Sequence, residues 1–332
     1  MHAAVKFRFQ FYCGLIAACL SLLATAQTGP KPAATSAAKS NPFPPKGNLS
    51  TASRISLVFG DVQRYYLVQP ATGTGLHPIV ILLHGGTQTA EQVWSHTSLP
   101  TLAAQNNFVL VAPNGLNRHW NDGRGAVLSG KPSTADDIGF LQAVIRDVLR
   151  DHSGDPQSVF MVGVSNGGFM TTYFACSGAY PLRAAANAIS DLVASQQQTC
   201  KAPLISWLSM NGTDDLVVPF AGMKQGTKVR GQAQPALVSA DDTFHFFAQR
   251  AGCGNVLKGE RLPHLNPSDP TYAERRTCTG RDGKVSVQYV FHGAGHALPN
   301  RRPDRQAQRA YGRSNQDVDA GQIIWDFFKS TM

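Results

Sequence analysis

Ser165 stands in Gly163-Val164-Ser165-Asn166-Gly167, after the apolar run Ser158 to Val162 and before a helical-looking stretch, Phe169 to Ala175. Strand, Gly-x-Ser-x-Gly and helix in succession is the setting in which a serine can be held exposed on a sharp turn. Small residues are needed on both flanks because the chain doubles back too tightly for side chains. The hydroxyl then lies near the positive end of the following helix, where developing negative charge is favoured.

A serine hydroxyl needs a base, and the base needs a group to orient it. An acid is expected after the apolar Trp207-Leu208, in Asn211-Gly212-Thr213-Asp214-Asp215-Leu216-Val217-Val218-Pro219. Asp215 is chosen as that acid, and its neighbour Asp214 reads as an exposed loop charge. The base is expected at His296, on the glycine-rich Gly293-Ala294-Gly295-His296 loop beyond the last apolar run. His292, closer to that run, reads as structural, and His152, His245 and His264 have no supporting context. Backbone N–H groups should receive the oxyanion. Asn166 supplies one, and Gly86 of Leu83-His84-Gly85-Gly86-Thr87 the other, with Thr87 next in order and facing substrate. Trp120 fits either a substrate-pocket wall or a buried position.

Positioning these residues requires a sheet whose strands end beside one another. Continuous apolar runs at Pro78 to Leu83, Phe108 to Val111 and Ser158 to Val162 read as buried parallel strands. Val62 to Val68 alternates like a strand. Ala188-Ile189, Leu204-Ile205 with Trp207-Leu208, and Val285 to Phe291 continue the series. Helical spacing falls between them: Ile138 to Leu149 behind a Ser133-Thr134 cap, a helix after Ser165, Asp241 to Ala251, and Asp317 to Lys329. This alternation predicts an α/β domain with helices on both faces. Residues 220–240 and 256–284 read as polar, glycine- and proline-rich excursions, loops or small hairpins above the sheet.

The chain's 332 residues suffice for one large domain with a substantial core. Its net charge of +9 comes with no aromatic-interleaved basic module, so a nucleic-acid partner is not expected. Arg301, Arg302, Arg305, Arg309 and Arg313 read as a solvated basic face that could attract anions. Residues 1–26 read as a secretory signal: Lys6 and Arg8, an apolar stretch from Phe9 to Ala24, and an Ala24-Thr25-Ala26 cleavage site. Ile16-Ala17-Ala18-Cys19 also resembles a lipoprotein box, so lipid anchoring at Cys19 is the alternative to a secreted or periplasmic product. No transmembrane segment is expected. Residues 27–50 read as a disordered Pro/Ala/Ser-rich tether and 51–332 as the catalytic domain. Cys176, Cys200, Cys253 and Cys278 form an even set in an exported chain, which suggests two disulfides. Three pairings are possible, the sequence-local one being simplest. Their spacing disfavours metal, and no cofactor is expected.

His84 to Ala90, Trp120-Asn121-Asp122-Gly123-Arg124, Asp136 to Phe140, Gly163 to Gly168, Gly212 to Pro219 and Gly293 to His296 together resemble the secreted esterases of the polyhydroxybutyrate depolymerase and feruloyl esterase family. The resemblance runs from about Arg54 to the C-terminus, with the motifs in the family's order. It implies an α/β-hydrolase fold, with a mostly parallel central sheet. It also implies Ser165 as nucleophile, Asp215 and His296 as its partners, Gly86 and Asn166 as oxyanion donors, and cysteines where the family has them. The implied substrates are small or oligomeric esters of feruloyl, short-chain acyl or hydroxyalkanoate type. Polymer hydrolysis, acetyl-sugar ester or peptide hydrolysis on the same machinery, and a non-catalytic surface-binding role are the alternatives. Polymer-degrading members often have Cys where Gly86 stands, an aromatic where Leu298 stands, and an appended polymer-binding domain. These departures favour soluble esters over solid polyester.

Overall fold

The computed structural model describes residues 44–125, 133–254, 259–300 and 305–332. The expected signal, the Cys19 alternative, most of the tether, and Arg301 and Arg302 lie outside the described residues.

Among the described residues, twelve strands and eight α-helices follow in chain order. The strands are β1 (Ser53–Phe59), β2 (Val62–Gln69), β3 (His77–Leu83), β4 (Val109–Pro113), β5 (Gly154–Val164), β6 (Ala184–Ala188), β7 (Ser206–Gly212), β8 (Lys228–Val229), β9 (Gln232–Ala233), β10 (Glu260–Arg261), β11 (Tyr272–Thr279) and β12 (Val285–His292). The helices are α1 (Ala90–His96), α2 (Leu99–Asn106), α3 (Asp137–Asp151), α4 (Asn166–Ser177), α5 (Ala194–Gln197), α6 (Ala240–Arg250), α7 (Arg305–Tyr311) and α8 (Ala320–Ser330).

Ten strands form one sheet in the order β1-β2-β4-β3-β5-β6-β7-β12-β11-β10. The six from β4 to β12 pair in parallel, and antiparallel strands flank them on both sides. The central strands read as continuous apolar runs because both of their faces are covered. Alternation sends Val80, Leu82, Phe160 and Val162 to one face, where they meet α1, α2 and α8. Ile79, Ile81, Leu83, Val159 and Met161 go to the other, against α3, α4 and α6. Aromatic rings fix the outer helices: Phe108 stacks on Trp325 with centroids 4.2 Å apart, Phe160 on Phe328 at 4.8 Å, and Trp207 on Phe247 at 3.6 Å. This is the α/β-hydrolase architecture, with helices on both faces as expected.

Several local expectations are corrected. The cap of α3 is Asp136, whose carboxylate accepts from the Gly139 N–H, and not Ser133-Thr134. Two acidic residues at the start of that helix made the position ambiguous by pattern alone. Leu204-Ile205 lies before β7, which begins at Ser206. The excursion expected at 256–284 contains β10 and β11, whose charged faces hide the strand period. Antiparallel edge strands need only one buried face, so they lack the continuous apolar signal. β1, with exposed and half-buried residues only, was invisible for the same reason. The 220–240 segment does hold a small hairpin, β8–β9. The last part of the expected tether is bonded to the domain. The Gly47 N–H donates to the Thr97 carbonyl, and the Trp94 indole N–H donates to the Asn48 carbonyl.

Two disulfides form with sequence-local pairing, Cys176–Cys200 and Cys253–Cys278. The first ties the end of α4 to the segment before β7. The second ties the segment after α6 to β11.

Candidate active site

β5 ends at Val164 and α4 begins at Asn166, so a single residue, Ser165, carries the whole change of direction. It does so at φ +53° and ψ −117°, a conformation costly for a residue with a Cβ. The crowding explains the glycines. A Cβ on Gly163 would lie 2.0 Å from the Gly167 carbonyl oxygen, and one on Gly167 2.5 Å from the backbone oxygens of Leu83 and His84. The Ser165 N–H donates to the Ala188 carbonyl at the end of β6, which holds the turn against the neighbouring strand.

Ser165 Oγ lies 2.9 Å from His296 Nε2, and His296 Nδ1 lies 2.7 Å from Asp215 Oδ2. A carboxylate only accepts, so Nδ1 carries the proton and Nε2 is left to accept from the serine hydroxyl. Asp215 is buried at the end of β7, and its other oxygen accepts the Val217 and Val218 N–H groups at 2.7 and 2.8 Å. Three donors therefore fix this carboxylate. Asp214 is exposed: its carboxylate accepts the Thr213 hydroxyl, and its N–H donates to the Ala294 carbonyl. The His296 N–H donates to the carbonyl of Tyr311 at the end of α7. Close approach at that loop requires glycine, since a Cβ on Gly295 would lie 2.3 Å from the same oxygen.

The turn after β3 faces the serine. The Thr87 N–H is committed to the Arg118 carbonyl, whereas the Gly86 N–H makes no hydrogen bond among the described residues. That separates the two candidates: Gly86 has the free donor, and Thr87 lines the cavity. His84 braces the turn from below. Its Nδ1–H donates to the Gly85 carbonyl and its Nε2 accepts the Gly115 N–H, which requires the neutral ring. Burial pushes its pKa down to about 4.

Trp120 does not line the cavity. It is buried, its indole N–H donates to the His84 carbonyl, and its ring lies 5.0 Å from the His84 ring. The expected substrate contact there is replaced by support of the turn. Its backbone N–H donates to Asn166 Oδ1, while Asn166 Nδ2 donates to Asp122 Oδ2 at 2.7 Å and to the Trp120 carbonyl. Asp122 also holds Arg124, whose Nε and Nη2 reach the same carboxylate oxygen at 2.9 and 2.7 Å. Asp137 accepts the Asn121 N–H and pairs with buried Arg64 at 2.7 Å. Asp122, Arg64 and Asp137 were given no role from sequence. A dense Trp-Asn-Asp-Gly-Arg run was the available signal, since buried charges must be paired. Asp191, past β6, is fully buried. Burial raises its pKa well above its ordinary value, and the Asp215 charge adds to the shift. Its Oδ1 accepts from Asn211 Nδ2.

His292 is structural, stacked on Tyr272 and bonded to Glu274. Arg309 and Arg313 are exposed and line no part of the cavity. Ser165 opens onto a cavity of about 330 Å³. Its apolar side is Phe169, Val217, Val218, Met223 and Leu237. Among the described residues no group of His, Cys, Asp and Glu is arranged to hold a metal ion.

No family model matches the chain. It is 26% identical over 264 residues to a protein named as an esterase, NocK of Nocardia uniformis subsp. tsuyamanensis, covering 77% of this chain and 76% of that one. It is 32% identical over 129 residues to feruloyl esterase B of Thermothelomyces thermophilus, which is 37% of this chain and 43% of that one. It is 29% identical over 235 residues to feruloyl esterase B of Piromyces equi, 68% of this chain and 40% of that one. The chain thus spans under half the length of these two feruloyl esterases. Among solved structures it resembles an acetyl xylan esterase from Aspergillus awamori, with a TM-score of 0.54 at 14% identity over 84% of this chain and 99% of that one. That likeness shows the fold. The chain has the α/β-hydrolase fold, its relatives are named as esterases and feruloyl esterases, and ester hydrolysis is the activity these relationships support.

Proposed function

We propose that the chain is an exported serine carboxylesterase in which Ser165, His296 and Asp215 act as a triad. The observation that carries the reading is the continuous hydrogen-bonded path from the Ser165 hydroxyl through His296 to a buried, triply bonded Asp215, opening on a cavity. Ser165 Oγ attacks the ester carbonyl as its proton passes to His296 Nε2. The imidazolium is stabilised by Asp215, which keeps its charge. The oxyanion is received by the Gly86 and Asn166 N–H groups, the latter at the positive end of α4. His296 returns the proton to the leaving alcohol. Water then repeats the sequence on the acyl-enzyme and frees the acid. Every group the protein must supply is a side chain or N–H group named above.

Two disulfides support an oxidising destination. Among the described residues no helix is long and apolar enough to cross a membrane. The apolar cavity wall suits short acyl, hydroxycinnamoyl or hydroxyalkanoate groups, and kinship to feruloyl esterases is compatible with the second.

Ser165→Ala tests the reading. It should lower ester turnover on the order of a million-fold and leave the fold intact. A serine-directed phosphonate should label the parent at Ser165 and the variant nowhere. Retained activity, or a label on another residue, sinks the assignment.

A further inference from the structure

The cavity that serves Ser165 has a one-signed charge. Lys46, Arg124 and Arg230 line it, and among the described residues no aspartate or glutamate does. The nearby carboxylates are spoken for: Asp215 by His296 and two N–H groups, Asp122 by Asn166 and Arg124. Arg124 is therefore a neutralised pair, although its Nη1 has no hydrogen-bond partner among the described residues. Lys46 and Arg230 make no ion pair among the described residues. In a cleft with low-dielectric walls, such charges act more strongly than on an open surface.

Arg230 is held in place at a cost. It and Gly231 are the two central residues of the β8–β9 hairpin, with φ of +49° and +81°. Such turns normally take Asn, Asp or Gly at the first position. The hairpin is anchored by Val229, buried with Phe169, Val217, Met223 and Leu237 on the apolar cavity wall. The Arg230 guanidinium then lies 4.7 Å from the Tyr311 ring, at the end of the helix whose last carbonyl holds His296. A strained arginine set on the rim of a site is a pointer to ligand contact. Lys46 lies one residue before Gly47, whose N–H bond to the Thr97 carbonyl ties this part of the backbone to the domain.

We propose that the preferred substrate is an ester whose non-reacting part carries a carboxylate, held at the rim by Arg230 and Lys46 while its apolar middle lies on the Phe169–Leu237 wall. The proposal rests on the esterase reading and selects among its substrates: a hydroxyacid oligomer with a free acid end has this chemistry, and a neutral sugar ester does not.

The experiment compares kcat/KM within two matched pairs. Para-nitrophenyl hemisuccinate against para-nitrophenyl isocaproate places the charge on the acyl side. Meta-carboxyphenyl butyrate against meta-carbamoylphenyl butyrate places it on the alcohol side. The ratio within a pair reads charge and cancels general damage to the enzyme. In at least one pair the parent should favour the acid. That ratio should fall roughly fivefold in each of Arg230→Gln and Lys46→Gln, further in the double variant, and also with added salt. A preference for the neutral member in both pairs overturns the proposal, as does a ratio unmoved in the double variant. No turnover of any of the four esters would instead defeat the esterase reading, and the substrate proposal with it.

Discussion

Two adjacent aspartates with opposite fates show what one residue of chain can decide. Asp215 has one oxygen on His296 and the other on two N–H groups, and it is buried; Asp214 points outward. Asp215→Asn should leave the ring held in the wrong tautomer, with a loss near ten-thousand-fold, as for the matching change in a serine protease. Asp214→Asn should change turnover less than threefold, since exposed loop charges contribute little. Steady-state kinetics on one soluble ester compares them, and a reversed ranking would move the acid by one position. Ser165, Asp215 and His296 were legible because each follows an apolar run that ends at the same edge of the sheet. Asp122 was not, because its importance lies in what it touches: Asn166, 44 residues away in sequence. Trp120 was open for the same reason. A tryptophan before a polar turn has the same sequence signature whether its ring faces substrate or His84.

At the scale of elements, β3, β4 and β5 could be read from sequence because burial on both faces makes them continuous apolar runs, whereas β6 was expected at Ala188-Ile189 and lies at Ala184–Ala188, and β12 is interrupted by Ser286 and Gln288. The outer antiparallel strands β1, β10 and β11 could not, since one face is solvated or charged. The turn after β3 depends on one buried ring. His84 must be neutral to donate to Gly85 and accept from Gly115 at once, and its pKa is about 4 against an ordinary 6.5. The unfolded chain therefore binds the extra proton first as pH falls. The stability due to this histidine is complete above pH 6.5 and is lost progressively down to about pH 4. The pKa difference corresponds to roughly 3 kcal/mol at full extent. His84→Gln retains a donor and an acceptor but cannot titrate. Denaturant unfolding of parent and variant at several pH values should give two profiles that converge as pH falls from 6.5 to 4. Taking the difference cancels other groups, including Asp191, whose raised pKa acts in the opposite direction. Parallel profiles would mean that His84 does not carry this acid sensitivity.

For the molecule as a whole, the proposed triad sits at the C-terminal ends of the central strands while the two disulfides sit elsewhere, which would separate stability from chemistry. Neither bridge contributes a residue to the cavity wall. Cys176–Cys200 and Cys253–Cys278 close loops of sequence separation 24 and 25, each worth about 3 kcal/mol by restriction of the unfolded chain. Arg250 links the two bridges in space. Arg250, at the end of α6 and three residues before Cys253, donates to the Cys200 carbonyl at 2.8 Å and to the Ala202 carbonyl at 3.2 Å. Opening the second bridge frees the segment that follows α6, and with it this clamp on the first. The paired serine variants, one bridge at a time and then both, should each remain active at low temperature, with Tm lowered by roughly 6 °C per bridge. The double loss should depart from the sum, because residues that share a partner couple. An Arg250→Ala background provides the control, since removing the clamp should restore additivity. Additive losses in both backgrounds would show that Arg250 transmits nothing between the bridges. Activity lost at low temperature with a single bridge would show that the sheet edge depends on the far side of the molecule.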